Sequence, residues 1–473
     1  MVTLGIDAST QGVKALVREA ESGVVTAAAA VNFGRDLPAF GSPDGFLPNP
    51  DPRIRRADPR MWLAALDLVL ARLADAFDLS TVAAIGGDGQ QHGSVYLNDA
   101  WDAALRSEAS GTEGAEGLAD IFKGVFSRDE APIWMDSSTA AEVGELNRLF
   151  PDLQRRTGSP AIERFTGPQI MKFAAEHPAD WECTARVHLV SSFLCSVLAG
   201  ADSPIDTGDG AGMNLLDLST GAWASDVCAA VAPDLIAKLP AVCRPDERTA
   251  LRLSPYFARY GFKPGIPVVP FTGDNPASLV GTGADRPGVA VISLGTSDTF
   301  FAALPEFRTD PDGYGHVFGN PSGGFMSLAC FKNGSLARNR VREELGVDWN
   351  FFDETAFEKP VDLARRAFPY FEPEITPVHA ATGIEANFDW ERAPADEKVR
   401  AVVAGQILNM FERTRWIGDF EVVRVTGGAS RSKGIRGAIA AVFGARVETL
   451  DVADSAALGG AILAARAILK SSD

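Results

Sequence analysis

The stretches TLGIDASTQGVKALV (residues 3–17) and GVAVISLGTSDTFFAAL (residues 288–304) follow one plan: an apolar run, a turn of small and polar residues, and a second apolar run. Apolar runs of this length around a Gly/Ser/Thr/Asp turn read as two strands of a hairpin. Two copies so far apart predict that each half of the chain carries its own version of one sheet element. Length agrees, because 473 residues exceed the roughly 250–300 at which a single core stops growing.

Strands and helices alternate elsewhere, which predicts an α/β fold. MWLAALDLVLARLADAF (61–77) places Trp62, Leu66, Leu70, Leu73 and Phe77 on one helical stripe, with Asp58 as N-cap and Pro59 at the first helical position. After residue 398 come a helix, the strand EVVRV, the turn TGGAS, a second helix, the strand RVETL and a closing helix, SAALGGAILAARAIL. Residues 34–57 and 101–131 lack a clean period and read as long excursions.

Composition excludes several classes. A net charge of −18 argues against nucleic-acid binding, which needs clustered Lys and Arg. The longest nearly apolar stretch, VSSFLCSVLAG (190–200), falls short of the roughly 20 residues a spanning helix needs, so no membrane partner is expected. MVTLGIDAST has neither a basic segment nor a long apolar one, and no secretion signal is read there. Cysteines 183, 195, 228, 243 and 330 form no CxxC pair; reduced thiols in a cytoplasmic enzyme are expected, not disulfides or a zinc site.

Three turns, DASTQG (7–12), LGTSD (294–298) and TGGAS (426–430), follow apolar strands. Converging N–H groups and hydroxyls make such turns anion cradles suited to nucleotide phosphates; any one alone is more commonly a plain hairpin, and it is the three together that favour the cradle. GxxxxGK[ST] is absent, so this is no P-loop. Asp7 closes the first strand, where a carboxylate beside a phosphate hairpin suits the water shell of Mg²⁺; an Asp there also suits hydrogen bonding to its own turn. In GGDGQQHGSVYL (86–97), Gln90, Gln91 and His92 suit hydroxyl recognition, while a lone His is commonly structural. PIWMDSST (132–139) adds Trp134 and Asp136, and IERFTG (162–167) adds Arg164, which a surface charge would explain equally well. FTGDNPASLVG (271–281) sets one carboxylate, Asp274, at the tip of an apolar strand before a short helix. No HExxH or GxSxG occurs.

GIDASTQGVK, GQQHG, WMDSST, FTGDNPASLVG, SLGTSDT, CFKNGSLAR and TGGASRS stand in the order and spacing of the FGGY carbohydrate kinases, sugar kinases of the actin and hexokinase-like superfamily. The resemblance runs from about residue 3 to 467. It is greatest to the eukaryotic type of xylulose kinase: Gln91, Met135 and Ser138 or Thr139 stand where many bacterial relatives carry Met, Asn and Arg. Ser9 also departs from the commoner G-T-S hairpin.

The resemblance implies two ribonuclease-H-like α/β domains with a cleft between them: residues 1–284 for sugar and 285–473 for nucleotide. It implies ATP-dependent phosphorylation of D-xylulose to D-xylulose 5-phosphate. A kinase for another ketose or a polyol, such as ribulose, is the alternative, and a sugar sensor or Hsp70-like ATPase on the same fold is a third. Asp274 is similar to the family's general base, and with a reference pKa of about 3.9 it is expected to be ionised at neutral pH. His92, Arg164 and Asn275 resemble sugar ligands, offering donors to hydroxyls. Thr10 and Thr296 resemble the phosphate hairpins, and Asp7 the Mg²⁺ residue. Gly428, Ala429 and Ser432 fall on the adenosine-binding turn, and Trp349 matches an aromatic near adenine. Sugar and ATP are the expected partners; monomer and homodimer are left equally open.

Overall fold

The computed structural model describes residues 1–109, 117–451 and 454–470. The chain forms two compact units, one from residues 1–281, 318–323 and 454 onward, the other from 282–317 and from 324 to the start of that last segment.

In the first unit the hairpin of residues 3–17 forms as expected, with Val2–Ala8 antiparallel to Gly12–Glu19. On its other side Val2–Ala8 runs parallel to Val82–Gly89, and the sheet continues through Pro267–Val268 to Leu251–Arg252, with Val25–Asn32 at the opposite edge. Register decides the chemistry here. Asp7 lies beside Asp88, and Thr272 beside Asp88 from the other side, so three strands end together. Helix Pro59–Ala76 covers one face with Trp62, Leu66, Leu70 and Leu73 buried, capped by Asp58, whose side chain accepts from the Arg60 N–H. Phe77, expected on that stripe, is the half-buried C-cap.

The closing helix, Ser455–Lys470, packs within this first compact unit although it lies far along the chain. Shape explains the placement. A Cβ at Gly5 would collide with the Ala457 carbonyl, and one at Gly459 with the Ala277 carbonyl, so strand, helix and Gly/Ala-rich closing helix pack backbone to backbone. Thr3 Oγ1 donates to the Ala461 carbonyl (2.9 Å) and ties the helix down. Gly5 and Gly86 precede Asp7 and Asp88 by two residues, so both acids share the face of their strands that this helix covers.

The second unit repeats the plan. Val289–Leu294 and Asp298–Leu304 form the expected hairpin, and Val422–Thr426 runs parallel to the first of them. Phe325–Phe331 and Arg446–Thr449 extend the sheet on either side. The turn Gly295–Ser297 is anchored by a buried ion pair, in which Arg338 Nη1 and Nη2 donate to the two oxygens of Asp298 (2.7 and 2.8 Å). Among the described residues no helix is long and apolar enough to cross a membrane. All five cysteines are free thiols.

Candidate active site

In the first unit the acids gather where the strands end. Asp274 opens helix Asp274–Gly281 directly after strand Thr272–Gly273. Three donors converge on one of its oxygens: Oδ1 accepts from Asn275 N–H (2.8 Å), Asn275 Nδ2 (3.0 Å) and Gln91 N–H (3.4 Å). Oδ2 is thereby left to face outward, and the residue keeps some solvent exposure. Burial of the carboxyl, reinforced by the nearby charge of Asp7 and opposed by the hydrogen bonds, pushes its pKa up to about 7. The expectation of a fully ionised Asp274 at neutral pH is therefore corrected: near pH 7 it sits at its midpoint, where a general base is most effective.

Asp7 is buried at the end of its strand, and burial raises its pKa against the opposing influence of an Asp88 hydrogen bond and Lys14. It is not spent on its own turn, because Ser9 N–H and Oγ donate instead to the Gly12 carbonyl. Asp7 Oδ1 has no hydrogen-bond partner. Asp88 and Asp209 escape the sequence reading. Both are fully buried, and burial pushes both carboxyls well above the usual range; Asp88 is raised further by the charge of Asp7, whereas the Ser191 hydroxyl, donating to Asp209 Oδ2, opposes the shift at Asp209. A signal was present: GGDG and TGDG each set an acid between glycines, and GGDG follows the apolar run VAAI as the acids Asp7 and Asp274 follow theirs.

His92 lies in the left-handed region at φ 69°, stacked on Phe165 with ring centroids 4.2 Å apart. Its Nδ1 is 2.8 Å from the Gly212 carbonyl, which can only accept, so Nδ1 carries the proton and Nε2 the lone pair. Burial, with the neighbouring Arg164 charge, holds the imidazole neutral, its pKa pushed down to about 3. His92 thus presents an acceptor where a donor was expected. Gly212 is required for this, since a Cβ there would collide with the ring. Arg164, half-buried with its guanidinium 5.8 Å from the Phe165 ring centroid, supplies the donor beside it.

Asn275 is committed differently from the expectation. Its Nδ2 donates to Gln91 Oε1 (2.9 Å) and Asp274 Oδ1, so both amide hydrogens are engaged and Oδ1 is what it can offer a ligand. Gln91 Nε2 donates in turn to the Gly208 carbonyl (3.3 Å). Gln90 is buried with neither amide atom hydrogen-bonded. Asp136 is structural: it accepts from Arg55 N–H, Ser138 N–H and Oγ, and Gln169 Nε2, ordering the WMDSST loop. Thr10 Oγ1 accepts from half-exposed Trp134 Nε1 (2.7 Å).

The second unit brings its two turns together. Gly427, at φ 88°, packs where a side chain would collide with the Leu294 carbonyl, so TGGAS abuts the base of the LGTSD turn. Thr296 and Ser297 are exposed and line a cavity of about 360 Å³ with Lys332 and Arg340. Gly428 has open space above it and Ala429 is half-buried. Ser432 departs from expectation: it is buried, and its hydroxyl caps helix Lys433–Phe443 by accepting from Ile435 N–H (3.2 Å). Trp349 is 46% exposed under the Arg342 guanidinium (4.9 Å), and Glu354, just after its helix, pairs with Lys433 Nζ (3.1 Å) at the start of helix Lys433–Phe443.

Known proteins resemble this chain in sequence and in fold. The profile of the FGGY family of carbohydrate kinases, N-terminal domain, matches residues 129–281, and that of the C-terminal domain matches residues 290–468. A xylulose kinase of Rattus norvegicus is 39% identical over 97% of this chain and 87% of its own. Xylulose kinase 2 of Arabidopsis thaliana is 37% identical over 98% and 86%. In three dimensions the xylulose kinase of Bifidobacterium adolescentis superposes with a TM-score of 0.81 at 23% identity, covering 100% of this chain and 94% of that one. The two-domain actin and hexokinase-like architecture is thus established, and the chain belongs to the FGGY family of carbohydrate kinases.

Proposed function

We propose that this carbohydrate kinase transfers the γ-phosphoryl group of ATP to D-xylulose, giving D-xylulose 5-phosphate and ADP. The observation that carries the chemistry is Asp274, with one oxygen clamped by three donors and the other presented. As the new O–P bond forms and the bond to ADP breaks, the sugar hydroxyl gives its proton to Asp274 Oδ2. The carboxylate orients the hydroxyl first and takes the proton late, because most of the rate in such transfers comes from alignment and charge neutralisation. Around it His92 accepts from one hydroxyl, Arg164 donates to another, and Asn275 Oδ1 accepts from a third. The first unit is thus the sugar unit, and the substrate of the xylulose kinase relatives is the one chosen.

Nucleotide binding belongs to the second unit in this reading. Thr296 and its turn hold phosphate, Gly428 and Ala429 line the adenosine, and Trp349 packs near the base; Thr10 in the first unit supplies the other phosphate hairpin. A divalent cation fits the residues present. Asp7 Oδ1 is a buried oxygen without a partner, and among the described residues no group of three or more His, Cys, Asp or Glu side chains could cage a metal alone. That suits Mg²⁺, which takes one or two carboxylates and fills its remaining positions with water and phosphate oxygens. Asp7 would hold it, and bound Mg²⁺ would neutralise phosphate charge.

The test is sugar-dependent ADP release over D-xylulose, L-xylulose, D-ribulose, D-fructose, xylitol and glycerol, with the product identified by phosphorus NMR. D-Xylulose is expected to give the highest kcat/KM by tenfold or more, since a site built to hydrogen-bond particular hydroxyls leaves buried groups unpaired against the wrong stereoisomer. A higher kcat/KM with D-ribulose or a polyol would overturn the choice of sugar.

A further inference from the structure

We propose that Asp88 is a second carboxylate ligand for the divalent cation, giving the first unit a cation site that fills without nucleotide. The proposal rests on the kinase reading only in taking Asp7 as the other ligand.

Asp88 is completely buried, yet no donor group from the rest of the protein reaches either of its oxygens; what it meets is another acid, the carboxyl of Asp7. A buried carboxylate is normally given two or three donors, and leaving one bare is costly unless something else neutralises it. Its neighbours make this worse. Asp7 sits directly beside it in the parallel register, on the same face, with its own Oδ1 bare. The charges of Asp274 and Asp209 also act on Asp88 and disfavour its ionised form. The nearest cation in register, Lys14 opposite Asp7, is spent on Asp454 at 2.6 Å. The carboxyls of Asp88 and Asp7 therefore face one another at adjacent strand ends, with no donor group on either Asp88 oxygen or on Asp7 Oδ1, and the lysine in register is hydrogen-bonded to a third acid.

Oxygens of this kind are what a hard divalent cation binds. With two carboxylates in place, metal need not arrive only with the nucleotide. Asp88 resembles an unsatisfied ligand more than a structural acid: it makes no cap and no ion pair, and the burial that costs it hydration is repaid only when a counter-charge is present.

The experiment titrates Mn²⁺ into the ligand-free protein, with neither nucleotide nor sugar, reading free Mn²⁺ by its electron paramagnetic resonance signal. Wild type is expected to show one saturable site, weakened at least tenfold in Asp88→Asn and likewise in Asp7→Asn, whereas Asp88→Glu keeps most of the affinity. Asp88→Asn keeps the size and polarity of the buried side chain, so its metal-free melting temperature should stay close to that of wild type, and lost Mn²⁺ binding is then not lost folding. As a second measurement needing no variant, Mg²⁺ alone should raise the wild-type melting temperature. Unchanged Mn²⁺ affinity in Asp88→Asn, or no saturable wild-type site together with no Mg²⁺ shift, overturns the proposal. The two readings fail separately. A wild type that phosphorylates D-xylulose while its Mn²⁺ site ignores Asp88 rejects this inference alone, and one that binds Mn²⁺ through Asp88 but phosphorylates no sugar rejects the kinase reading alone.

Discussion

Asp274→Asn is expected to lower kcat by about 10²–10⁴ while sugar affinity changes much less. The reason lies in how the carboxylate is held. All three donors go to Oδ1, and an asparagine Oδ1 can accept the same three bonds, so shape and anchoring survive. What disappears is the outward oxygen that takes the proton. Stability should move in the opposite direction to activity. The folded-state pKa is raised to about 7 from an unfolded value near 3.9, so between those values the folded protein holds a proton that the unfolded chain releases. The stabilising contribution is therefore fully present below about pH 4 and is lost as pH rises through about 7. Asn never ionises, and the variant should melt at or above wild type at pH 8, with the advantage shrinking toward pH 5. Steady-state kinetics, calorimetric sugar binding and melting at the two pH values check this; a variant with kcat within threefold of wild type would remove the general-base role.

Arg338→Ala is expected to cost the second unit about 3–5 kcal/mol, because truncating one partner of a buried ion pair leaves the other charge uncompensated. Both residues are 2% exposed. Arg338 also donates to Ser335 Oγ (2.7 Å) and Gln406 Oε1 (3.2 Å), so its loss strips partners from three side chains at once. Asp298 starts the second strand of the hairpin that carries Thr296, and nucleotide binding should weaken with stability. A melting transition lowered by about 6–20 °C follows for a unit of this size. The paired exchange Asp298→Leu with Arg338→Met should cost less than Arg338→Ala alone, since no charge is then stranded. Denaturant unfolding of the three variants decides it, and a loss below about 1 kcal/mol for Arg338→Ala would contradict the anchoring role.

The parts of this molecule that were legible in its sequence are those written locally. The two hairpins announce themselves through apolar runs around small polar turns, and Asp7 and Asp274 through an acid placed where a strand stops. Asp88 carries the same mark, but it lies inside GGDGQQHG, where the amide and imidazole side chains drew the reading away from it. What stayed hidden depends on residues distant in the chain. The closing helix joins the first unit because Gly5 and Gly459 leave room for backbone contact, a complementarity that no local pattern encodes. The tautomer of His92 is decided by a carbonyl 120 positions away. Ser432 resembles a ligand on a glycine-rich turn, yet Ser directly before a helix is also, with Asn and Asp, a favoured N-cap, and the following helix claims its hydroxyl. The pKa of Asp274 could not be read either, because it is set by burial and by Asp7 on another strand.

The most direct test of the account is the dependence of wild-type kcat/KM for D-xylulose on pH, which reports the ionisation of the free enzyme's essential base. With Asp274 near 7, kcat/KM should be level above that pH and fall about tenfold per unit below it, while the residual activity of Asp274→Asn stays flat. A wild-type profile that remains level down to about pH 5.5 would contradict Asp274 as the base that this site is built around.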